Sequence, residues 1–535
     1  MNLKRLENVN KVSTTRKIAA GSAVLMAGNA LGYGLAMVKE IMVAARFGVS
    51  GQMDAFYAAI TVPSLITNVF IATFGAVFIP VFTSCRASSP EQACRVADVF
   101  ITRLLVFLAV CSGLLFLLAG PIISLSFPGF QPEAAAQAAA MLRQLSWLAL
   151  LSGLVGMSMG ILSVYKEFAP QAFAPLFVTS TIMGFIVFLG GRLGVDALAW
   201  GTVAGVALEL AFLAWFVRAS GFRFRPGLAS PDPELKAMLA LVPPFLAASA
   251  IGQVNTVVDR FMASGLDAGS ISALGYAEKL MLVPTQVFHV SLTTAAFPFF
   301  AALAAENRLE ELKTTLSSLV RIAAFVMIPV TVLLGLTGGS LVRLLFERGA
   351  FTPAATSLTS LIFVMYCLQL FFTAAQVLAI RVFLAMREMR VMVRIAFIST
   401  ALNVALNLLF MRLVDPPAAG IALSTSVTAA LVTLEMFRLL RRKIGPLEER
   451  RVLSGLAGTS LASLAAAAAA APVYKFMMPA IGGLGALPRG AALAAFCAGW
   501  TALFYALCLA FGVEEASKLK AWLAGRFGST SQNSL

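Results

Sequence analysis

The stretch LGYAEKLMLVP, residues 274–284, sets Glu278 beside Lys279 in an otherwise apolar run. Asp259, Arg260 and Asp267 precede it, and from Met281 to Ala304 there is no charge and one histidine, His289. A charged side chain at bilayer depth is expensive unless it meets a partner or water. Adjacent helical residues project about 100° apart, so Glu278 and Lys279 cannot both turn toward lipid cheaply. A second set, Lys39, Glu40, Arg46 and Asp54, stands in VKEIMVAARFGVSGQMDAF. Mixed charge of this kind beside a water-filled cavity suits a polyanion such as pyrophosphate, which lysine meets as a point charge and arginine as a planar fork. A plainer reading stands beside it, in which Glu278 and Lys279 neutralise each other at an interfacial helix end or Lys279 snorkels.

Other chemistries find little support. Walker-type phosphate loops, HExxH and GxSxG are absent, and nothing else in the chain points to an enzyme or a bound cofactor. Transport, without an NTPase motif, would be secondary: driven by a coupling ion, the membrane potential or a substrate gradient. Cys85, Cys94, Cys111, Cys367, Cys497 and Cys508 lack CxxC spacing, four in apolar runs and two on one expected loop, and read as packing residues. His289 reads as a packed, hydrogen-bonded residue. Glu209 and Glu435, each just before a basic helix exit, are the acids a cation-coupled exporter of small drugs would lean on, although snorkelling explains them as well.

The elements that must position these residues are membrane helices. Hydrophobic residues make up 59% of 535, charged residues 12%, and mean hydropathy is +0.89. A soluble domain is about 45–50% apolar and 25% charged. At about 20 residues per crossing, we read fourteen spans, near 18–38, 55–82, 101–125, 138–165, 170–191, 197–219, 237–258, 271–303, 315–337, 354–380, 391–411, 418–437, 452–474 and 488–513. The thirteenth, SLASLAAAAAAAPVY, is the weakest because alanine is only marginally apolar. The long first run lacks a short apolar region with a cleavage site, and reads as a retained span rather than a signal peptide.

Charge distribution supports this count. Alternate loops carry 29 basic residues on one side and ten on the other, with Lys279 inside a span. That asymmetry predicts both termini in the cytosol and removes nucleic acid as the explanation of the +15 charge. The expected fold is all-α: a polytopic membrane protein of about 14 helices in two six-helix lobes plus a terminal pair. The lobes run 1–220 and 237–443, joined by the polar cytosolic linker 221–236, and residues 444–535 hold the terminal pair and tail. Even-numbered halves share orientation, as parallel repeats do. Pro63 and Pro80 in span two, and Pro284 and Pro298 in span eight, are expected to interrupt their helices where a cavity tolerates freed carbonyls. Glycine pairs Gly28/Gly32 and Gly156/Gly160 predict close helix contacts.

Several stretches resemble the MurJ/MviN lipid II flippases. FGVSGQMDAFYAAITVPSL, 47–65, is similar to that family's first signature, and VNTVVDRFMASGLDAGSISALGYAEKLMLVP, 254–284, to its seventh-to-eighth span region. LLFERGAFT, 344–352, resembles the stretch after span nine, and QVLAIRVFLAMREMRVMVRIAF the tenth-to-eleventh connection. The resemblance covers about residues 20–440. It implies a fourteen-helix alternating-access transporter in the bacterial cytoplasmic membrane, carrying an undecaprenyl-pyrophosphate-linked sugar from the inner to the outer leaflet. It also implies that Lys39 and Lys279 attract the pyrophosphate, that Arg46 and Arg260 assist at the outer mouth, and that Asp54 and Glu278 position them. Spans thirteen and fourteen would form a groove for the lipid tail. Partners other than the lipid-linked glycan and membrane lipids are not indicated. Two positions depart from the family pattern: Tyr33 and Thr67 stand where arginines are usual. A flippase for another polyprenyl-linked oligosaccharide, of capsule, exopolysaccharide or O-antigen, fits this thinner cationic lining. A membrane scaffold acting through its basic cytosolic face is a third class.

Overall fold

The computed structural model describes residues 28, 30–227, 233–251, 253–481, 483 and 485–528, and every regular element among them is helical. Among the described residues, eleven helical stretches are long and apolar enough to cross a bilayer. They coincide with expected spans two to six and nine to fourteen. The expected first, seventh and eighth spans fall partly on helices as well, while residues 18–27 lie outside the described part. Two compact units divide the chain: Met1–Ser272 with Arg348–Phe351, and Ala273–Glu347 with Thr352–Leu535.

The first unit holds α1 (30–47), α2 (Gly51–Ser88), α3 (Pro90–Leu117), the short α4 (Ala119–Ser126), α5 (Pro132–Leu145), α6 (Trp147–Val164), α7 (Ala169–Phe188), the single turn α8 (Gly190–Leu193), α9 (Asp196–Ala219), α10 (Pro233–Ile251) and α11 (Val254–Ala263). Ser50 starts α2, its hydroxyl accepting from the Met53 N–H at 3.4 Å, which satisfies one donor of the open first turn. Along α2, Phe74, Phe78 and Phe82 recur every fourth residue. They stack at 4.4 and 4.9 Å, with Phe100 at 6.0 Å from both Phe74 and Phe78. Gly156 and Gly160 of α6 make room for this ridge: a Cβ at Gly160 would lie 2.5 Å from the Phe74 ring, and one at Gly156 3.0 Å from Ile71. Gly28 is equally close to Ala172. Gly156, Gly160 and Gly28 therefore serve close helix contact, while a Cβ at Gly32 would come no nearer than 4.0 Å to Leu176.

Two local expectations are corrected. The loop between spans two and three reduces to Ser89, because α2 runs on to Ser88 and α3 starts at Pro90; Cys85 and Cys94 are helical. Nor do prolines break their helices: Pro63 and Pro80 lie inside α2, and Pro284 and Pro298 inside α12 (Ser270–Ala305). One proline removes a single donor, and the helix continues on the remaining bonds. The start of the linker is tied down, with Arg225 and Gly227 N–H groups donating to Asp98 Oδ1 at 3.1 Å and Thr102 Oγ1 at 3.2 Å.

The second unit contains most of α12, α13 (Leu309–Phe346), α14 (Pro353–Cys367), α15 (Leu370–Ala385), α16 (Met389–Leu413), α17 (Pro417–Ile444), α18 (Glu449–Ile481), α19 (Ala486–Ala510) and α20 (Glu514–Gly528). The alanine-rich run forms a 33-residue helix, α18. Its Ala462, Ala466 and Ala470, one turn apart, bury a small-residue stripe in a cluster with Phe496, Trp500 and Phe504 of α19. Alanine contributes little apolar area of its own here; large rings on the neighbour supply it. No disulfide joins the six cysteines among the described residues.

Candidate functional site

Sequence motifs of the first unit converge on a backbone clasp. After α1, Gly48 takes φ +61° and returns its N–H to the Ala44 carbonyl at 2.9 Å. A Cβ on Gly48 would sit 2.3 Å from the Ala350 carbonyl oxygen, and one on Gly349 (φ +58°) 2.2 Å from that of Ala45. The Ala350 N–H donates to Ala45 O at 2.8 Å. The glycines of FGVSG and ERGAF thus let two backbones touch where no side chain fits.

Asp54 completes this junction. It is 5% exposed, and its two carboxylate oxygens accept from the Gly269 and Ser272 N–H groups at 2.6 Å each. Gly269 has φ +99°, with Val49 where a side chain would stand. The acid of DAF is therefore a tertiary cap on the chain entering Ser270–Ser272, satisfying donors that open a helix.

The cations are placed individually. Lys39 Nζ pairs with Glu40 Oε1 at 2.7 Å, largely shielded from solvent. Arg46 is exposed, its guanidinium lying against Gly190 and Gly191. Arg260 donates to Thr61 Oγ1 at 2.7 Å and to the Tyr57 carbonyl at 3.4 Å, with its guanidinium 5.9 Å from the Tyr57 ring centre. Tyr33 is half-exposed, and Thr67 Oγ1 is buried without a hydrogen-bond partner among the described residues.

In the second unit Glu278 and Lys279 are both half-buried near the start of α12, and neither lacks a partner. Glu435 lies 3.8 Å from Arg438. Glu209, in the first unit, is buried at 6% exposure, so it does not snorkel as its position near a helix end suggested. His289 falls in α12, and its side chain lies outside the described residues.

Sequence reasoning missed three polar groupings, six residues in all. Thr61 and Tyr57, one turn apart on α2, hold Arg260; their spacing was visible, but the partner lies 199 residues away. Gly269 and Ser272 act through backbone N–H groups that no side-chain pattern reveals. The third, in the second unit and apart from the residues above, is the fully buried pair Asn403 and Asn407 of α16, joined at 3.2 Å, with Ser424 Oγ donating to the Asn403 carbonyl at 3.2 Å. Their i, i+4 spacing in NVALN was the signal. Among the described residues no group of three His, Cys, Asp or Glu could hold a metal ion.

The family model of the lipid II flippase MurJ matches residues 43–488. A probable lipid II flippase MurJ of Buchnera aphidicola subsp. Acyrthosiphon pisum is 27% identical over 430 residues, 78% of this chain and 82% of its own. One from Vibrio cholerae serotype O1 is 25% identical over 442 residues, covering 80% and 84%. A solved lipid II flippase MurJ in an inward closed conformation superposes with a TM-score of 0.73 at 22% identity, over 90% of this chain and 99% of that one. An inward-facing multidrug-resistance MATE transporter of the MOP superfamily gives 0.61 at 16% identity, over 78% and 95%. With its helical membrane fold and a match over most of its length, this chain belongs to the MurJ lipid II flippase family.

Proposed function

We infer that this chain moves lipid II, the undecaprenyl-pyrophosphate-linked peptidoglycan precursor, from the inner to the outer leaflet of a bacterial cytoplasmic membrane by alternating access. The match of residues 43–488 to the family carries this reading. Its family is one of transporters, and the reading includes no catalytic step. In this reading both termini face the cytosol, which the basic-residue asymmetry supports. The lobes 1–220 and 237–443, the linker 221–236 and the terminal pair in 444–535 are the moving and guiding parts.

Lys279 is the residue we assign to attraction of the pyrophosphate, with Lys39, Arg46 and Arg260 adding positive potential and Glu278 setting the orientation of Lys279. Asp54 acts one step back, fixing the chain at Gly269–Ser272 that leads into α12. Lys279→Gln is expected to lower lipid II flipping in vesicles at least about tenfold, the loss of one charge-assisted contact, with unchanged melting behaviour. Flipping at the wild-type rate in that variant removes Lys279 from the mechanism.

One observation favours a second substrate. Tyr33 and Thr67 bring no charge to positions where the family resemblance expects arginine, and the Thr67 hydroxyl is buried without a partner among the described residues. Another polyprenyl-linked glycan, with the same pyrophosphate and a different sugar, would suit this reduced positive lining. Rescue of a strain depleted of its own lipid II flippase separates the two: growth names lipid II, and lysis despite normal expression points to the other glycan.

A further inference from the structure

A cavity of about 440 Å³ lies among the C-terminal ends of α13 and α18 and the start of α19, wholly within the second unit. Arg343 and Arg489 line it, with Ser340, Leu344, Met478 and Leu493. Arg343 Nε donates to Glu347 Oε1 at 2.9 Å. Arg489 Nε is shielded from solvent and has no hydrogen-bond partner among the described residues. The Ser340 hydroxyl shares a hydrogen bond with Tyr474 at 2.5 Å. Two guanidinium groups therefore border one chamber, and the acid paired there, Glu347, answers one of them. A guanidinium N–H removed from water is stable only when an acceptor meets it. Planar forks match oxyanions, phosphate among them. Leu344, Met478 and Leu493 supply an apolar wall suited to hydrocarbon attached to such an anion.

We propose that this cavity is a binding site for a phosphate-bearing anion, held by Arg489 and Arg343. Its apolar wall favours a phospholipid headgroup of the surrounding bilayer over free phosphate, which shares the anionic chemistry. The site is independent of the pyrophosphate-binding residues and does not rest on the flippase reading.

The full-length protein, delipidated in detergent, is examined by native mass spectrometry with added phosphatidylglycerol. In parallel, its thermal midpoint is measured in inorganic phosphate and in chloride at equal ionic strength. Wild type is expected to retain phosphatidylglycerol about 10- to 100-fold better than Arg489→Gln, the loss of a bidentate contact, and Arg343→Gln should show a smaller drop. Selective loss of lipid retention supports the headgroup. A phosphate-dependent midpoint present in wild type and absent in the variants supports the site with free anion as its occupant. Arg343→Gln carries the test alone if Arg489→Gln does not fold. Retention and phosphate response equal to wild type in every variant that folds overturns the proposal.

Discussion

Replacing Asp54 tests the central structural assignment. Its carboxylate is buried and accepts two 2.6 Å hydrogen bonds from backbone N–H groups. Hydrogen bonds to a charged group contribute about 1.5–3 kcal/mol each, and a buried donor left unsatisfied costs about 1–3 kcal/mol. Asp54→Ala removes both acceptors and strands Gly269 and Ser272, so a loss of about 3–5 kcal/mol is expected, overlap between the two terms included. Asp54→Asn keeps one acceptor and turns an NH₂ toward the other donor, for about half that loss. For a chain this long, the Asp54→Ala loss moves the thermal midpoint by roughly 3–4 °C. The assay is a fluorescence melt in detergent at one fixed scan rate, because heating membrane proteins is often irreversible. Low and high salt should give the same shift, since a desolvated contact is poorly screened. If Asp54→Ala melts with wild type while flipping collapses, the carboxylate acts on substrate and the capping argument is refuted.

Other perturbations follow from contacts in each unit. Gly48→Ala and Gly349→Ala each drive a Cβ into a backbone oxygen at 2.3 and 2.2 Å from a left-handed residue, so the yield of folded protein should fall sharply. Gly184→Ala, with open space around it, should leave yield unchanged in the same expression assay. Arg321 of α13 pairs with Glu514 and, at 3.3 Å, with buried Glu515; Arg321→Gln leaves Glu515 unpaired and should lower stability in denaturant titration by about 3–5 kcal/mol. Lys518 and then Arg321 hold the Glu514 carboxyl down to about 2, below the ordinary 4.5. A depressed carboxylate stabilises above its unfolded value and loses that contribution as pH falls from about 4.5 to about 2, so Glu514→Gln should flatten the melting curve across that window.

The motif residues show what was legible and why the rest was not. The DAF acid and the glycine of FG stood out in the sequence, and the resemblance placed them in the right family. From the sequence, Asp54 is expected to position the cations, since a carboxylate near Arg46 and Lys39 has the right charge. Yet its hydrogen bonds reach 215 and 218 residues along the chain, to backbone groups without any side-chain signature. The alanine helix teaches the converse. Its own hydropathy is weak, and its burial depends on Trp500 and Phe504, which the local window cannot see.

What the sequence determined by itself is the class of the molecule: long apolar runs require membrane helices, because a backbone in lipid must bond to itself. Alternating basic loops supported the expected orientation for a similarly local reason. Only the tertiary structure decided which charges are caps, which are ion pairs and which line a cavity. Those roles depend on distances between residues far apart in the chain, and a hydrogen bond changes meaning within an ångström.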